Sequence, residues 1–295
     1  MIRLHFLYLL LMGVLLIHAC KPKKEKLVDA KQVGTESLYY GQKPPGLVPE
    51  KLPDEFTTEN WKLAGMFEPG MEEFYFTTSE ENPFEPHVIV FRKENRVWKK
   101  YDFYTSFSGD ENTLYSKSNY IERTAAGWST MKSLGPMFDR EDWGIMRLTA
   151  SANGTLVFDD WKNNDVIRIS RVKEGNRETP ELLGKEINVG KWTAHPFLAP
   201  DESYLIWDSE REEGYGDSDL YISFRQSDDS WGAAINMGNQ VNTSFHENAV
   251  RLTPDGKYFT FGRHEEIVKS DGTSDWVGGR YWVSTQVIEN LKPQG

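Results

Sequence analysis

A short apolar strand, a tight turn built from Pro, Asp, Asn or Gly, and an aromatic-rich strand recur five times, and no other feature of this chain narrows its fold as far. The repeats read Met66-Phe67-Glu68-Pro69-Gly70 to Phe74-Tyr75-Phe76, Phe107-Ser108-Gly109-Asp110 to Leu114-Tyr115, and Leu148-Thr149-Ala150 through Asn153-Gly154 to Val157-Phe158. Two more follow, Phe197-Leu198-Ala199-Pro200-Asp201 to Leu205-Ile206-Trp207 and Arg251-Leu252-Thr253-Pro254-Asp255-Gly256 to Phe259-Thr260-Phe261. With Phe76, Ser116, Phe158, Trp207 and Phe261 taken as equivalent, successive units are offset by 40, 42, 49 and 54 residues. A period of that size belongs to β-propellers.

Turn chemistry explains the repeat. Proline presets φ for the first corner, Asp bonds its own backbone, and Gly supplies the positive φ that closes a hairpin. A further strand follows in four units and ends on a basic residue: His87 to Arg92, Asn119 to Arg123, Asp165 to Arg171 and Asp219 to Arg225. Trp98, Trp128 and Trp231 come next in three of them, and the fifth unit has only Arg280-Tyr281-Trp282-Val283. Tyr221, Ser223 and Arg225 alternate with Leu220, Ile222 and Phe224, the period of a strand. Each unit is then a small antiparallel sheet that cannot bury both faces alone, so neighbours must stack around an axis. The expected fold is all-β, a single β-propeller with five recognisable repeats and five or six blades. A sixth blade can be assembled from the segment before Trp61, and a closure strand from one terminus completing a blade begun at the other would remove exposed edges.

The N-terminus stands apart from this pattern. Arg3 is basic, Phe6 to Ile17 is an apolar run of signal-peptide length, and Leu16-Ile17-His18-Ala19-Cys20 places a small residue before the only cysteine. One reading is an ordinary signal peptide followed by an incidental thiol. The reading we carry forward is a lipoprotein box, which Ile17 and Ala19 fit and His18 departs from, with Cys20 as the lipidated first residue. The polar stretch Lys21-Pro22-Lys23-Lys24-Glu25-Lys26 then acts as a tether. The expected organisation is a signal peptide over 1–19, lipidated Cys20 and tether over 20–37, and the propeller over 38–295. Lys21 after Cys20 resembles the outer-membrane sorting of Gram-negative lipoproteins and implies a cell-envelope location, with a membrane partner at Cys20. The net charge of −11 argues against a nucleic-acid binder, which would carry a basic stripe.

The stretch from Ala199-Pro200-Asp201 through Asp219-Leu220-Tyr221-Ile222-Ser223-Phe224-Arg225 to Trp231, with Asn242 and the Pro254-Asp255-Gly256 turn, resembles the TolB-like propeller repeats. The resemblance covers roughly residues 38 to 292 and is strongest after residue 190. It implies an envelope scaffold that contacts other proteins. The first three units depart from the Pro-Asp-Gly pattern, with Glu68-Pro69-Gly70, Ser108-Gly109-Asp110 and a turn without proline.

If the innermost strand precedes each turn, Lys62, Asp102, Trp143, Thr193 and Glu247 share one position at the channel mouth, flanked by Asp142, Trp192 and His246, with His195 further along. Such a ring of charges and indoles suits a protein, peptide or glycan, and equally suits a self-paired channel lining. No recognised ligand spacing surrounds His195 or His246, and no phosphate loop, nucleophile elbow or cofactor motif is present in the sequence. The sequence therefore points first to a non-catalytic binding or scaffold module. The alternatives are a glycan- or peptide-acting hydrolase or lyase with its site in the channel, and a regulator of a larger membrane complex.

Overall fold

A computed structural model describes residue 39, residues 42–53, the strands and one turn between residues 66 and 128, and residues 132–293 except 254. The leader, Cys20, the tether and Lys62 lie outside these residues. Strand β1 (Glu50–Lys51) comes first. The first blade is β2 (Met66–Phe67), β3 (Glu73–Thr78), β4 (His87–Glu94) and β5 (Val97–Phe103), paired in that order. The second joins β6 (Ser108–Gly109), β7 (Thr113–Ser116), β8 (Asn119–Thr124) and β10 (Lys132–Ser133), with β9 (Gly127–Trp128) also paired to β8. The third runs β11 (Leu148–Ala150), β12 (Leu156–Asp160), β13 (Val166–Ser170) and β16 (Glu181–Leu182). A small hairpin, β14 (Val172–Lys173) and β15 (Asn176–Arg177), projects from it.

The fourth blade is β17 (Lys191–Leu198), β18 (Tyr204–Glu210), β19 (Asp219–Phe224) and β20 (Ile235–Asn236). The fifth is β21 (His246–Leu252), β22 (Tyr258–Val268) and β23 (Ser274–Ser284), followed by the short helix α1 (Gln286–Leu291). Its outer place is taken by β1, with Glu50 opposite Trp282 and Lys51 opposite Tyr281. The N-terminal segment thus closes the last blade, and the described residues form five blades. Leu52 N–H donates to Arg280 O at 2.8 Å, Ser284 N–H to Gly46 O at 3.0 Å, and the Tyr39 ring packs 5.0 Å from Tyr258. The fold is an all-β propeller, and Phe76, Ser116, Phe158, Trp207 and Phe261 each fall on the second strand of their sheet.

Alternation along the second strands builds the core between blades. Leu156 and Phe158 face the second blade, where they meet Tyr115, Phe138 and Ile145, while Val157 turns to Leu198, Leu205 and Trp207 of the fourth. Ile206 in turn faces Phe259, Phe261 and Val250 of the fifth blade. One residue of register slip would exchange these partners.

A second repeat lies in the crossovers between blades. Gly135-Pro136-Met137-Phe138-Asp139, Gly184-Lys185-Glu186-Ile187-Asn188 and Gly238-Asn239-Gln240-Val241-Asn242 each form one tight turn onto the glycine carbonyl and bury the apolar fourth residue. Asn188 bonds both backbone groups of Ile167, and Asn242 bonds both of Leu220, so each asparagine completes the pairing where the outer strand ends, beside the Leu183 and Met237 N–H bonds to the same carbonyls.

The hairpin turns after β11, β17 and β21 need a positive φ at one residue. Gly154 (φ +82) and Gly256 (φ +69) supply it, but Glu202 takes the place at φ +62. Its buried carboxylate accepts from Ser151 Oγ of the preceding blade at 2.7 Å and pairs with Arg225. The strained backbone is offset by an interblade clamp.

Candidate functional site

The innermost strands carry extra residues, two in β17, the first of them between Lys191 and Ala194, and one in β21. Pairing jumps from Ala194–Asp208 to Phe197–Ile206, and from Asn248–Gly262 to Arg251–Thr260. These are β-bulges, and His195 (φ +47) and Ala249 (φ +54) sit at them in the left-handed region. A bulge leaves backbone groups outside the ladder, and here they find partners from other blades. His195 N–H donates to Asp159 Oδ2 at 3.0 Å, and Ala249 N–H donates to Asp208 Oδ1 at 3.2 Å. Asp159 and Asp208 hold the same place on β12 and β18, so each carboxylate clasps the bulge of the next blade.

Asp159 is fully buried and engaged on both oxygens. Its Oδ1 accepts from the N–H groups of Met146 and Arg147 at 2.8 and 2.9 Å. Burial raises its pKa, against the pull of the His195 charge and these backbone donors. The His195 Nδ1 lies 3.0 and 3.1 Å from the two oxygens of Asp208. Desolvation disfavours the imidazolium, but the Asp208 charge and hydrogen bond outweigh it and raise the His195 pKa. In histidine-ring NMR, His195 should titrate above the ordinary value of about 6.5, and Asp208→Asn should bring it down. A raised folded pKa means that this stabilisation is fully present below about pH 6.5 and is lost as pH rises through the folded value.

The other residues singled out from sequence are distributed among separate clusters. Asp102 lies on β5, opposite Ile89 and on the fourth strand of its sheet, so it does not share the innermost position. The spacing misled because the first unit places its Trp98 strand where later units place the next inner strand. Asp142 is an exposed partner of Arg140 at 2.6 Å. Trp143 packs 5.4 Å from Phe158, with the Arg140 and Arg168 guanidiniums 4.6 and 4.8 Å from its ring. Both residues precede β11 and belong to a blade edge.

Glu247 is buried, accepts from Thr243, and pairs with Arg263 at 2.7 Å. Burial raises its pKa, against the bonds from Thr243 and Arg263. His246 lies 3.3 Å from Asp217 and edge-on to Trp276 at 4.5 Å. Trp192 opens β17 with 60% of its surface exposed and a φ of +52. Trp192 lies at the other bulge of β17, and of the set His195 alone bonds Asp159 and Asp208. Among the described residues, no three His, Cys, Asp or Glu side chains converge as metal ligands.

Three arginines complete the cluster. Arg147, just before β11, donates to Val250 O of the fifth blade, passing over the fourth. Such a reach is possible only at the centre of the ring. Arg280 of β23 donates to Ala249 O at 3.0 Å and to Thr260 Oγ1 at 2.9 Å, and Arg251 lies on β21 two residues after Ala249. Asp159 and Asp208 each follow the repeat aromatic by one position, after Phe158 and Trp207, a signal that the sequence carries and that Gly262 breaks in the fifth unit. Arg251 and Arg280 lay inside the recognised repeats. Their convergence depends on the bulge, which has no sequence signature of its own.

No protein-family model matches the chain, and no curated protein matches it in sequence. Solved structures similar to it include TolB from Acinetobacter baumannii, at 13% identity and a TM-score of 0.44, covering 75% of this chain and 56% of that one. A gluconolactonase from Xanthomonas campestris is 9% identical with a TM-score of 0.45, over 81% of this chain and 86% of that one. An endo-arabinase from Bacteroides thetaiotaomicron is 14% identical with a TM-score of 0.42, over 81% and 97%. This chain spans little more than half the length of the TolB it resembles.

Proposed function

We propose that this chain is a TolB-like, lipid-anchored β-propeller of the cell envelope, held to the outer membrane through Cys20, that binds a protein, peptide or glycan without chemistry of its own. The observation that carries the reading is the commitment of the inner carboxylates. Asp159 is engaged by three backbone N–H groups, Asp208 by Ala249 and His195, and Glu247 by Thr243 and Arg263. A general acid or base needs a carboxyl free to exchange a proton with substrate, and each of these is held as an acceptor. The exposed indole of Trp192 is the side chain suited to a contact surface, with a large apolar area and a donor at its edge.

The test has two parts. Intact-mass analysis of the processed protein should find a lipid-modified N-terminus at Cys20, and Cys20→Ser should move the protein into the soluble fraction. Trp192→Ala should weaken affinity capture of the envelope partner or glycan by about 10-fold or more, whereas His195→Ala should leave it within about 2-fold. The His195–Asp208 pair favours the second reading, a glycan- or peptide-acting hydrolase or lyase. Turnover of such a substrate that His195→Ala abolishes would establish it.

A further inference from the structure

The three arginines of the cluster differ from Arg168, Arg225 and Arg263, each of which is paired with a carboxylate. Arg168 pairs with Asp160 at 2.9 Å, Arg263 with Glu247 at 2.7 Å, and Arg225 with Glu202. Arg147, Arg251 and Arg280 are only 4%, 6% and 3% exposed, and among the described residues no carboxylate lies within ion-pair distance of any of them. Two of them converge on consecutive carbonyls, Ala249 and Val250, and the third is the next residue. The bulge at Ala249 gathers them. Even so, Arg147 Nε and Nη1, Arg251 Nε and Arg280 Nε have no hydrogen-bond partner.

Carbonyl acceptors hold Arg147 and Arg280 in place, and although the charges of Asp208 and Asp159 act on Arg147 from a distance, none of the three guanidiniums is neutralised by an ion pair among the described residues. Three cations taken out of water together repel one another and lose their hydration, a cost that an anion among them removes. Guanidinium forks match carboxylate and phosphate oxygens in shape, and unpaired N–H groups are the donors such a group needs. We propose that Arg147, Arg251 and Arg280 form an axial site for an oxyanion, a carboxylate or phosphate carried by the ligand of this propeller. Desolvation is the main force lowering all three pKa values, to about 10 for Arg147 and about 9 for Arg280, and mutual repulsion adds to it for Arg251 and Arg280. A bound oxyanion reverses both effects. The proposal gives the ligand of the binding reading its chemistry and so rests on it. A simple-anion probe separates the two, because capture can persist where anion binding fails.

The experiment follows thermal unfolding of the full chain in detergent, with sodium chloride, phosphate or glucuronate at matched ionic strength. Phosphate or glucuronate should raise the Tm saturably, by on the order of 5 °C at 100-fold over the dissociation constant. A response to phosphate alone assigns a phosphoryl ligand, and one to glucuronate alone assigns a carboxylated one. Arg251→Met, which keeps the length and removes the charge, should abolish the response while leaving the Tm in chloride equal or higher. Equal Tm in all three salts for the wild type, or a wild-type response retained by Arg251→Met, would overturn the site. Should Arg251→Met not fold, calorimetric titration of the wild type decides: one saturable phosphate or glucuronate per chain supports the site, and no saturable binding overturns it.

Discussion

Asp159→Ala is expected to destabilise the protein by about 3 kcal/mol, because three backbone N–H groups, one buried and two part-buried, lose their acceptor together. Met146, Arg147 and His195 donate to this one carboxylate from two different blades. Water cannot replace it without opening the interface between β12 and β17. Part of the loss is offset, since a fully buried carboxylate carries its own desolvation cost. Asp159→Asn should fall between the two. Its remaining carbonyl oxygen can still accept from Met146 and Arg147, but its amide meets the His195 N–H donor to donor. Chemical unfolding of the three proteins reads the order directly: wild type most stable, Asn intermediate, Ala least. An alanine variant within about 0.5 kcal/mol of wild type would mean that the bulge at His195 is not held as described.

Leu52→Pro is the second large effect, expected at roughly 3 kcal/mol or more. Leu52 is buried, and its N–H donates to Arg280 O at the outer edge of the fifth blade. Proline removes both that donor and the side chain. Loss of β1 would also uncover the outer edge of β23 from Arg280 to Ser284, leaving its backbone groups unpaired. Solubility should therefore fall along with stability, and light scattering on heating should rise earlier than in the wild type. The same substitution on a free N-terminal arm would change neither.

Much of the scaffold was legible because turns and alternation are local. Pro200-Asp201 and Asp255-Gly256 announce hairpins from their own torsional preferences, and Leu220 to Arg225 alternates as a strand must. The basic residues before Trp98, Trp128 and Trp231 marked third strands correctly, since β4, β8 and β19 lie there. The site was less legible for a physical reason. Its residues are brought together by bulges at His195 and Ala249, and a bulge shifts register without changing composition. The misplacement of Asp102 has a separate cause, since counting back from the second unit runs past its two-residue inner strand into β5 of the first blade, while Glu247 is bound within its own blade. Arg147 illustrates the rest. Nothing in its neighbours announces that its guanidinium crosses the ring to Val250 O.

Closure of the ring by the N-terminal strand holds the inner strands, and hence the arginines, in place. Lys51 and Tyr281 face each other between hydrogen-bonded pairs, the arrangement in which cross-strand Cα atoms are about 4.5 Å apart and a disulfide can form without backbone movement. In a Cys20→Ser background, Lys51→Cys with Tyr281→Cys should oxidise readily to one intrachain disulfide, seen as a single peptide pair joining the two ends of the chain. Two free thiols under the same oxidant, or links only between molecules, would contradict the closed ring.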